Sequence, residues 1–170
     1  MDLENYHREN GAAWDITAAI YERDEQRDIN FLRAGGSSLL PPEQAALGDL
    51  AAWCRRAIHL QCAGGTDTLS LLKQGAAEVV GIDISPRMIA CARRKTAALS
   101  APASWVCCDV LAAPEELSGS ADLVHTGRGA LNFGSLRVPT FLSHTTSPRM
   151  LFRTTSGSPS ASQSATLNVV

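Results

Sequence analysis

The chain has 170 residues, 45% of them apolar, which is enough for one domain with a buried core. Its net charge of −2 argues against nucleic acid or an anionic membrane as an electrostatic partner. The polar, acidic start lacks the features of a signal peptide, and no apolar stretch approaches the ~18 residues of a membrane helix. The five cysteines are odd in number and lack CxxC spacing, so we expect reduced thiols in a cytoplasmic protein, with no metal site and no disulfide framework.

Residues 1–56 are expected to form a helical N-terminal extension or lid. Trp14, Ala18 and Tyr21 recur at helical spacing, and a glycine pair follows before a Pro-Pro pair opens the next helix. Trp14 and Tyr21 either pack into the core or cover a ligand, and the sequence leaves both interpretations open.

Residues 57–131 alternate between strand and helix patterns. Strands are predicted over 57–60, 78–83, 105–109 and 121–125, and helices over 66–74 and 86–99. Strands separated by helices pair in parallel through right-handed crossovers. The predicted fold class is therefore α/β, a Rossmann-like parallel sheet of about four strands with a helical N-terminal extension. Ligands of such sheets bind beyond the carboxyl ends of the strands.

Residues 132–170 differ in composition from the rest of the chain. No Asp or Glu follows Asp122, Ser and Thr are abundant, and the segment shows no hydrophobic period, which is typical of loop or disorder. We expect a disordered or aberrant tail in which 137–142 and 149–152 at most pair locally. The fourth strand would then be an unprotected edge, and one face of the sheet would lack a helix.

A glycine turn joins the first predicted strand to the helix that follows it. Residues 59–67 read His-Leu-Gln-Cys-Ala-Gly-Gly-Thr-Asp. Glycines let the backbone bend sharply and approach a ligand closely. The turn lacks the pattern G-x-G-x-x-G, and Asp67 at the helix start would repel a phosphate, so the segment does not favour a nicotinamide dinucleotide.

Acidic residues end the next two strands. Asp83 lies 22 positions after Gln61, where a carboxylate can accept hydrogen bonds from both hydroxyls of a ribose. Its alternative role is to cap the helix that begins at Ser85. Asp109 can accept from the exocyclic amine of an adenine, with Val110 against the ring, or can be a surface carboxylate. The repetition of a polar residue at three strand ends carries more weight than any one of them.

These motifs resemble those of class I S-adenosylmethionine-dependent methyltransferases. The resemblance covers the segments 59–69, 80–85, 107–110 and 121–126, and the front segments 31–40 and 47–49 are similar to a small-molecule methyltransferase subgroup. It implies S-adenosylmethionine as the cofactor. A small molecule is the default methyl acceptor, because no basic patch or repeated aromatic platform suggests nucleic acid, and no membrane partner is expected. The identity of the acceptor does not follow from the resemblance.

The resemblance also implies which residues line the cofactor. They lie at the ends of the four strands and in the first turn of the helix after Asp83: Gln61, Cys62, Ala63, Gly64, Gly65, Asp83, Ile84, Met88, Asp109, Val110 and His125. No catalytic residue is assigned, because a general base is needed only when the acceptor must lose a proton. His125 and Arg128 are the nearest polar candidates for one.

The turn departs from the family pattern at three positions. Gln61 stands where the family has an acid at the end of the first strand, and Ala63 and Asp67 replace its first and third glycines. Gln61 can still hydrogen-bond the amino acid part of the cofactor, but it supplies no negative charge.

Two other functions stay open at this point. One is a NAD-binding Rossmann domain, and the other is a non-catalytic remnant or cofactor-binding module. The family's domain continues past the fourth strand with a helix, a fifth strand and a closing strand pair. A disordered tail therefore predicts an incomplete enzyme that binds its cofactor weakly and has no turnover.

Overall fold

The structure, a computed structural model, describes residues 3–127 and 149–152. Its helices and strands in chain order are α1 (Leu3–Arg33), α2 (Pro41–Leu47), β1 (Arg56–Leu60), α3 (Thr66–Lys73), β2 (Glu78–Asp83), α4 (Pro86–Leu99), β3 (Ala103–Cys107), β4 (Leu123–Thr126) and β5 (Arg149–Phe152). Single turns of 3₁₀-helix lie at Leu50–Ala52, Val110–Ala112 and Glu115–Leu117.

In the part of the chain that the structure describes, five parallel strands form one sheet in the order β3-β2-β1-β4-β5. The chain builds outward from β1 through β2 to β3, then returns to the other side of β1 to form β4. The strand order therefore reverses between β1 and β4, which is where ligands of such sheets bind. The architecture confirms the predicted α/β Rossmann-like class.

The predicted unprotected edge at β4 is wrong. β5 pairs in parallel with β4, with Leu123 opposite Arg149 and Thr126 opposite Phe152. The sequence predicts only about four strands, because the four residues 149–152 are too few to show the alternating hydrophobic period of a strand. Pairing nevertheless satisfies backbone groups that an edge strand would leave open. The rest of the predicted tail at 132–170, together with 128–131, lies outside the described residues.

The helices pack on one face of the sheet. Two apolar clusters fill this interface, because alternate strand residues point to the same side. One cluster contains Leu47, Leu50, Ala57, Leu71, Val79 and Leu123, and the other contains Leu32, Leu69, Ile89, Ala92 and Trp105. The opposite face carries Ile58, Leu60, Val80, Ile82 and Val124, and the described residues packed against it come from 106–121.

Local signals set where the helices begin and end. Ser85 caps α4 by accepting a hydrogen bond from the N–H of Met88 at 3.1 Å, and Pro86 occupies the first helical position. α1 ends where Gly35 takes a φ of +87° and the N–H of Gly36 donates to the carbonyl of Phe31 at 3.0 Å. Both boundaries follow from capping chemistry that is visible in the sequence.

Candidate cofactor site

The turn after β1 contains three residues in the left-handed backbone region. They are Gln61 with φ 55°, Ala63 with φ 47° and Gly65 with φ 79°. This conformation costs a residue with a side chain roughly 1–2 kcal/mol, so other contacts must stabilise it. Two backbone hydrogen bonds of 3.0 Å do so, from Cys62 N–H to the carbonyl of Ile82 and from Gly65 N–H to the carbonyl of Cys62.

Both glycines of the turn are required by packing. A Cβ atom on Gly64 would lie 2.9 Å from Cδ1 of Tyr21. On Gly65 it would lie 2.5 Å from the Trp105 ring and 2.7 Å from Cβ of Ala92. The Tyr21 ring therefore lies over the turn, while residues of α4 and β3 fill the space on the other side.

Asp83 links this turn to the end of β2. One carboxylate oxygen accepts from the N–H of Ala63 at 2.8 Å and the other from the N–H of Ser85 at 2.9 Å. Burial raises the pKa of the Asp83 carboxyl, while these backbone hydrogen bonds act in the opposite direction. The backbone N–H of Ile84 also acts on this carboxyl, so about one of a carboxylate's four acceptor positions remains for a ligand's hydroxyl group.

Ile84 and Met88 differ in exposure. Ile84 is half-buried and faces α1, because a Cβ on Gly11 would lie 3.5 Å from its Cγ1. Met88 is completely buried in the first turn of α4. Of the two, Ile84 is the one placed at the rim of the predicted site.

Asp109 follows β3 and is about one quarter exposed. Its Oδ1 accepts from the N–H of Leu111 at 2.9 Å, and its Oδ2 contacts Nδ1 of His7 in α1. Val110 packs against the apolar cluster on the face of the sheet opposite α1 to α4. Asp109 is therefore neither a free surface carboxylate nor fully buried, and α1 lies beside it.

The first half of α1 follows the rim of the predicted site. His7 contacts Asp109, and the Ser85 hydroxyl donates to Asp15. Arg87 also bonds Asp15, through its backbone N–H to the carboxylate at 3.2 Å and through its guanidinium to the carbonyl at 2.8 Å. Through these residues and Tyr21, α1 contacts the segments that follow β1, β2 and β3.

Three ion pairs attach the second half of α1 to α4. Glu22 accepts from Arg87 at 2.6 Å, and Glu25 accepts from Arg94 at 2.7 Å. The third pair joins Asp28 to the fully buried ammonium of Lys95 at 2.8 Å. Thr66, at the start of α3, joins the third pair by accepting from Lys95 and donating to Asp28.

His59 and His125 form a buried pair at the point where the strand order reverses. They lie opposite each other on β1 and β4, with ring centroids 4.6 Å apart and planes inclined by 56°. The Nδ1 atom of His59 lies 2.7 Å from the hydroxyl oxygen of Thr68. Nε2 of His59 and both ring nitrogens of His125 make no hydrogen bond within the described residues.

Burial keeps both imidazoles neutral at pH 7. It lowers the pKa of His59 well below its usual range, and the neighbouring His125 lowers it further. Burial also lowers the pKa of His125, an effect that the carboxylates of Glu43 and Asp67 partly offset. The predicted cofactor residue His125 is thus part of a polar cluster beneath the strand ends.

Sequence reasoning missed His7, Asp15 and His59 as residues of this region. The spacing of His7, Gly11, Asp15 and Tyr21 along α1 indicates a single helix face, but not which strand ends that face contacts. His59 appears in the sequence only as a polar residue inside a strand. Among the described residues, no group of three or more potential ligands for a metal ion occurs, and no helix is long and apolar enough to cross a membrane.

Comparison with known proteins assigns the family. The family model for a methyltransferase domain matches residues 57–145, just over half of the chain. The chain therefore belongs to the class I S-adenosylmethionine-dependent methyltransferases, as its motifs suggest. S-adenosylmethionine is the cofactor of that family. A search of curated proteins found no significant match.

Solved structures share the fold. A putative S-adenosyl-L-methionine-dependent methyltransferase from Methanococcus maripaludis is 18% identical with a TM-score of 0.55, over 75% of this chain and 61% of that one. YcgJ from Bacillus subtilis is 17% identical with a TM-score of 0.52, over 63% of this chain and 48% of that one.

A third solved structure comes from work on the conversion of a disulfide bond into a thioacetal group during echinomycin biosynthesis. It is 27% identical with a TM-score of 0.51, over 61% of this chain and 43% of that one. This chain thus spans less than two thirds of the length of each of these three proteins.

Proposed function

We propose that this chain binds S-adenosylmethionine at the ends of β1, β2 and β3 and transfers its methyl group to a small molecule. The observation that carries the proposal is the hydrogen bond from Ala63 N–H to Asp83, which joins the turn after β1 to the acid after β2. Bound there, the cofactor would supply a methyl group already activated by its sulfonium. The remaining task of the protein is to position donor and acceptor, which can supply much of the rate.

Named residues suit each part of the cofactor. Asp83 has about one acceptor position left for a ribose hydroxyl, and Asp109 can accept from the adenine amine in exchange for His7. Ile84 offers an apolar surface beside them. α1 lies across these residues and would exclude water from the bound cofactor.

The same geometry disfavours a dinucleotide. Asp67 lies in the first turn of α3, where its carboxylate accepts from the Ser38 hydroxyl. A helix N-terminus that binds phosphate needs its N–H groups free of a competing negative charge. S-adenosylmethionine has no phosphate, so an acid at this position is compatible with it.

A small-molecule acceptor is the class that we favour. The net charge of −2 gives no electrostatic attraction for nucleic acid. The 27% identical structure is described in connection with echinomycin biosynthesis, which concerns a small molecule. The free cysteines, three of them buried, support a cytoplasmic location.

Isothermal titration with S-adenosylhomocysteine and with NAD, followed by a methyl-transfer assay, tests the proposal. The assay uses S-adenosylmethionine labelled on its methyl group and a crude metabolite extract. We expect S-adenosylhomocysteine to bind more tightly than NAD, and Asp109→Ala to weaken it while Glu116→Ala, an exposed acid, does not. Tighter NAD binding would refute the proposal. Binding without transfer would identify a cofactor-binding module instead of an enzyme.

A further inference from the structure

One long side of α1 is exposed, and its residues follow the heptad spacing of a helix that pairs with another helix. The spacing alternates between four and three positions through Glu9, Ala13, Ile16, Ile20, Arg23 and Arg27. All six residues are exposed, and Ile16 at 76% is the most exposed large apolar side chain among the described residues. Ile20 is 53% exposed. We call these six residues the α1 stripe.

The opposite side of α1 already packs into the fold. Ala18, Ile29 and Leu32 are buried there, so the stripe is a second apolar seam on the same helix. The hydrogen bonds and ion pairs that the structure describes for Glu9 and Arg27 all run to residues of α1 itself. Within the described part of the chain, the stripe is therefore open to a partner. Heptad spacing keeps such a seam facing a partner helix over several turns.

The charges of the stripe are arranged for a second copy of the chain. Glu9 and Arg27 lie at its two ends, and Ile16 and Ile20 lie on either side of the midpoint between them. A two-fold axis at this midpoint makes the two α1 helices antiparallel and places Glu9 of each copy opposite Arg27 of the other. A parallel pair would instead oppose like charges at both ends, which disfavours it.

The inner positions of the antiparallel pair also match. Ile16 of each copy lies opposite Ile20 of the other, so the four isoleucines leave water together. Ala13 lies opposite Arg23, and its small side chain leaves room for the aliphatic stem of the arginine while the guanidinium stays in water. The end charges lie at the rim of this contact, where they set direction and register more than affinity.

We propose that this chain forms a two-fold symmetric dimer through the α1 stripe, with antiparallel helices and Glu9 of each copy paired with Arg27 of the other. His7 and Tyr21, which contact the strand ends, lie on the other side of α1, so dimerisation leaves their contacts intact. The dimer does not depend on the cofactor. Its failure would leave the function proposed above unaffected.

Sedimentation equilibrium of the full chain, at micromolar to millimolar concentration, measures the dimer. We expect a reversible equilibrium between monomer and dimer. Ile16→Gln should weaken it by about tenfold or more, because each dimer loses two apolar contacts. A wild-type chain that stays monomeric throughout this range would overturn the proposal, and so would an Ile16→Gln chain that dimerises as tightly as wild type.

Charge reversal tests the direction of the pair. Glu9→Arg and Arg27→Glu each oppose like charges at both ends of the dimer, and we expect each to weaken it by about tenfold. The double variant restores opposite charges and should dimerise like wild type. Lys73→Glu makes the same charge change on the exposed side of α3 and is the matched control. Single variants that dimerise like wild type, or a double variant as weak as the single ones, would overturn antiparallel pairing.

The fold of each variant is checked in dilute solution, where the chain is monomeric. The substituted side chains are exposed and bond only within α1, so circular dichroism and urea unfolding should stay close to wild type. Weaker dimerisation with an unchanged monomer then reports the contact between copies. If the loss of dimer instead followed a loss of helix in the monomer, the stripe would not be the interface and the proposal would be wrong.

Discussion

Asp83 accepts a hydrogen bond from the backbone N–H of Ala63, 2.8 Å away, although the two residues lie 20 positions apart in the chain. Its second oxygen accepts from Ser85 N–H at 2.9 Å. One buried carboxylate therefore stabilises the left-handed turn after β1 and the segment that opens α4. Any ligand contact of Asp83 comes in addition to this structural role.

Replacement of Asp83 should consequently affect both folding and binding. We expect Asp83→Ala to lower the free energy of unfolding by about 1.5–3 kcal/mol, because two backbone N–H groups lose a charged acceptor. It should also weaken S-adenosylhomocysteine binding by about tenfold to a hundredfold. Urea unfolding and isothermal titration measure the two effects.

Ser85→Ala is the control for Asp83→Ala. It removes the N-cap hydrogen bond of α4 and the hydrogen bond from the hydroxyl to Asp15, and should cost stability of about 2 kcal/mol while leaving the Asp83 carboxylate in place. We expect its affinity for S-adenosylhomocysteine to stay close to wild type. A folded Asp83→Ala chain with unchanged affinity would show that the carboxylate does not contact the cofactor.

Both the backbone conformation at position 65 and the side chains packed around it require glycine. Its φ is +79°, and a Cβ atom would lie 2.5 Å from the Trp105 ring. We expect Gly65→Ala to destabilise the fold by more than the roughly 1–2 kcal/mol of the left-handed backbone alone, because overlap with the ring adds to it. Gly65→Val should cost still more, and urea unfolding measures both.

Gly35→Ala isolates the backbone contribution. Gly35 has a φ of +87° and no atom within 4 Å of the position of an added Cβ. We expect this variant to lose less stability than Gly65→Ala. Equal losses would mean that Trp105 moves aside at no cost, and the packing argument for Gly65 would be wrong.

The sequence predicts the features that depend on neighbouring residues. The strands β1 to β4 show as short apolar runs, the α4 cap shows as Ser85-Pro86, and the polar residues at strand ends point to a binding edge. Asp83 and Asp109 follow from the same local pattern. These features need only the period of an element and the rule that parallel strands share one carboxyl edge.

The features that the sequence does not predict depend on distant contacts. His7 meets Asp109 across 102 positions, which only the docking of α1 determines. His59 meets His125 because β1 and β4 pair in one particular register. β5 forms from four residues inside a segment of loop-like composition, and its partner strand decides its conformation.

The buried imidazole pair predicts a loss of stability in acid. An unfolded histidine titrates near pH 6.5, whereas burial lowers the pKa of His59 and His125 in the folded chain. As pH falls below about 6.5, the unfolded chain binds protons that the folded chain does not. The free energy of unfolding should therefore fall as the pH falls, by at most about 1.4 kcal/mol per pH unit for each imidazole.

His125→Phe tests this pH dependence. Removing one imidazole should make the decline between pH 6 and pH 5 shallower, by at most about 1.4 kcal/mol per unit. At pH 8 the variant should be at least as stable as wild type, because both His125 nitrogens are buried without a partner among the described residues. Urea unfolding across this range measures it, and parallel curves for the two chains would contradict the expectation.

The ion pair between Lys95 and Asp28 should be the strongest attachment of α1. The Lys95 side chain is fully buried, and its ammonium donates to Asp28 at 2.8 Å and to the Thr66 hydroxyl at 2.7 Å. Asp28→Ala removes the carboxylate that is hydrogen-bonded to this charge. We expect the free energy of unfolding to fall by about 3–5 kcal/mol.

Two variants separate the buried charge from α1 packing in general. Glu22→Ala removes a partner of the exposed Arg87 and should have a much smaller effect, because water screens that pair. Asp28→Asn combined with Lys95→Met removes both charges and should recover most of the stability lost in Asp28→Ala, since no buried charge is then left unpaired. Urea unfolding measures all three variants. Glu22→Ala could lower the free energy of unfolding as much as Asp28→Ala does, or the double variant could recover no stability. Either result would mean that the loss comes from the contacts of α1 as a whole and not from the charge of Lys95.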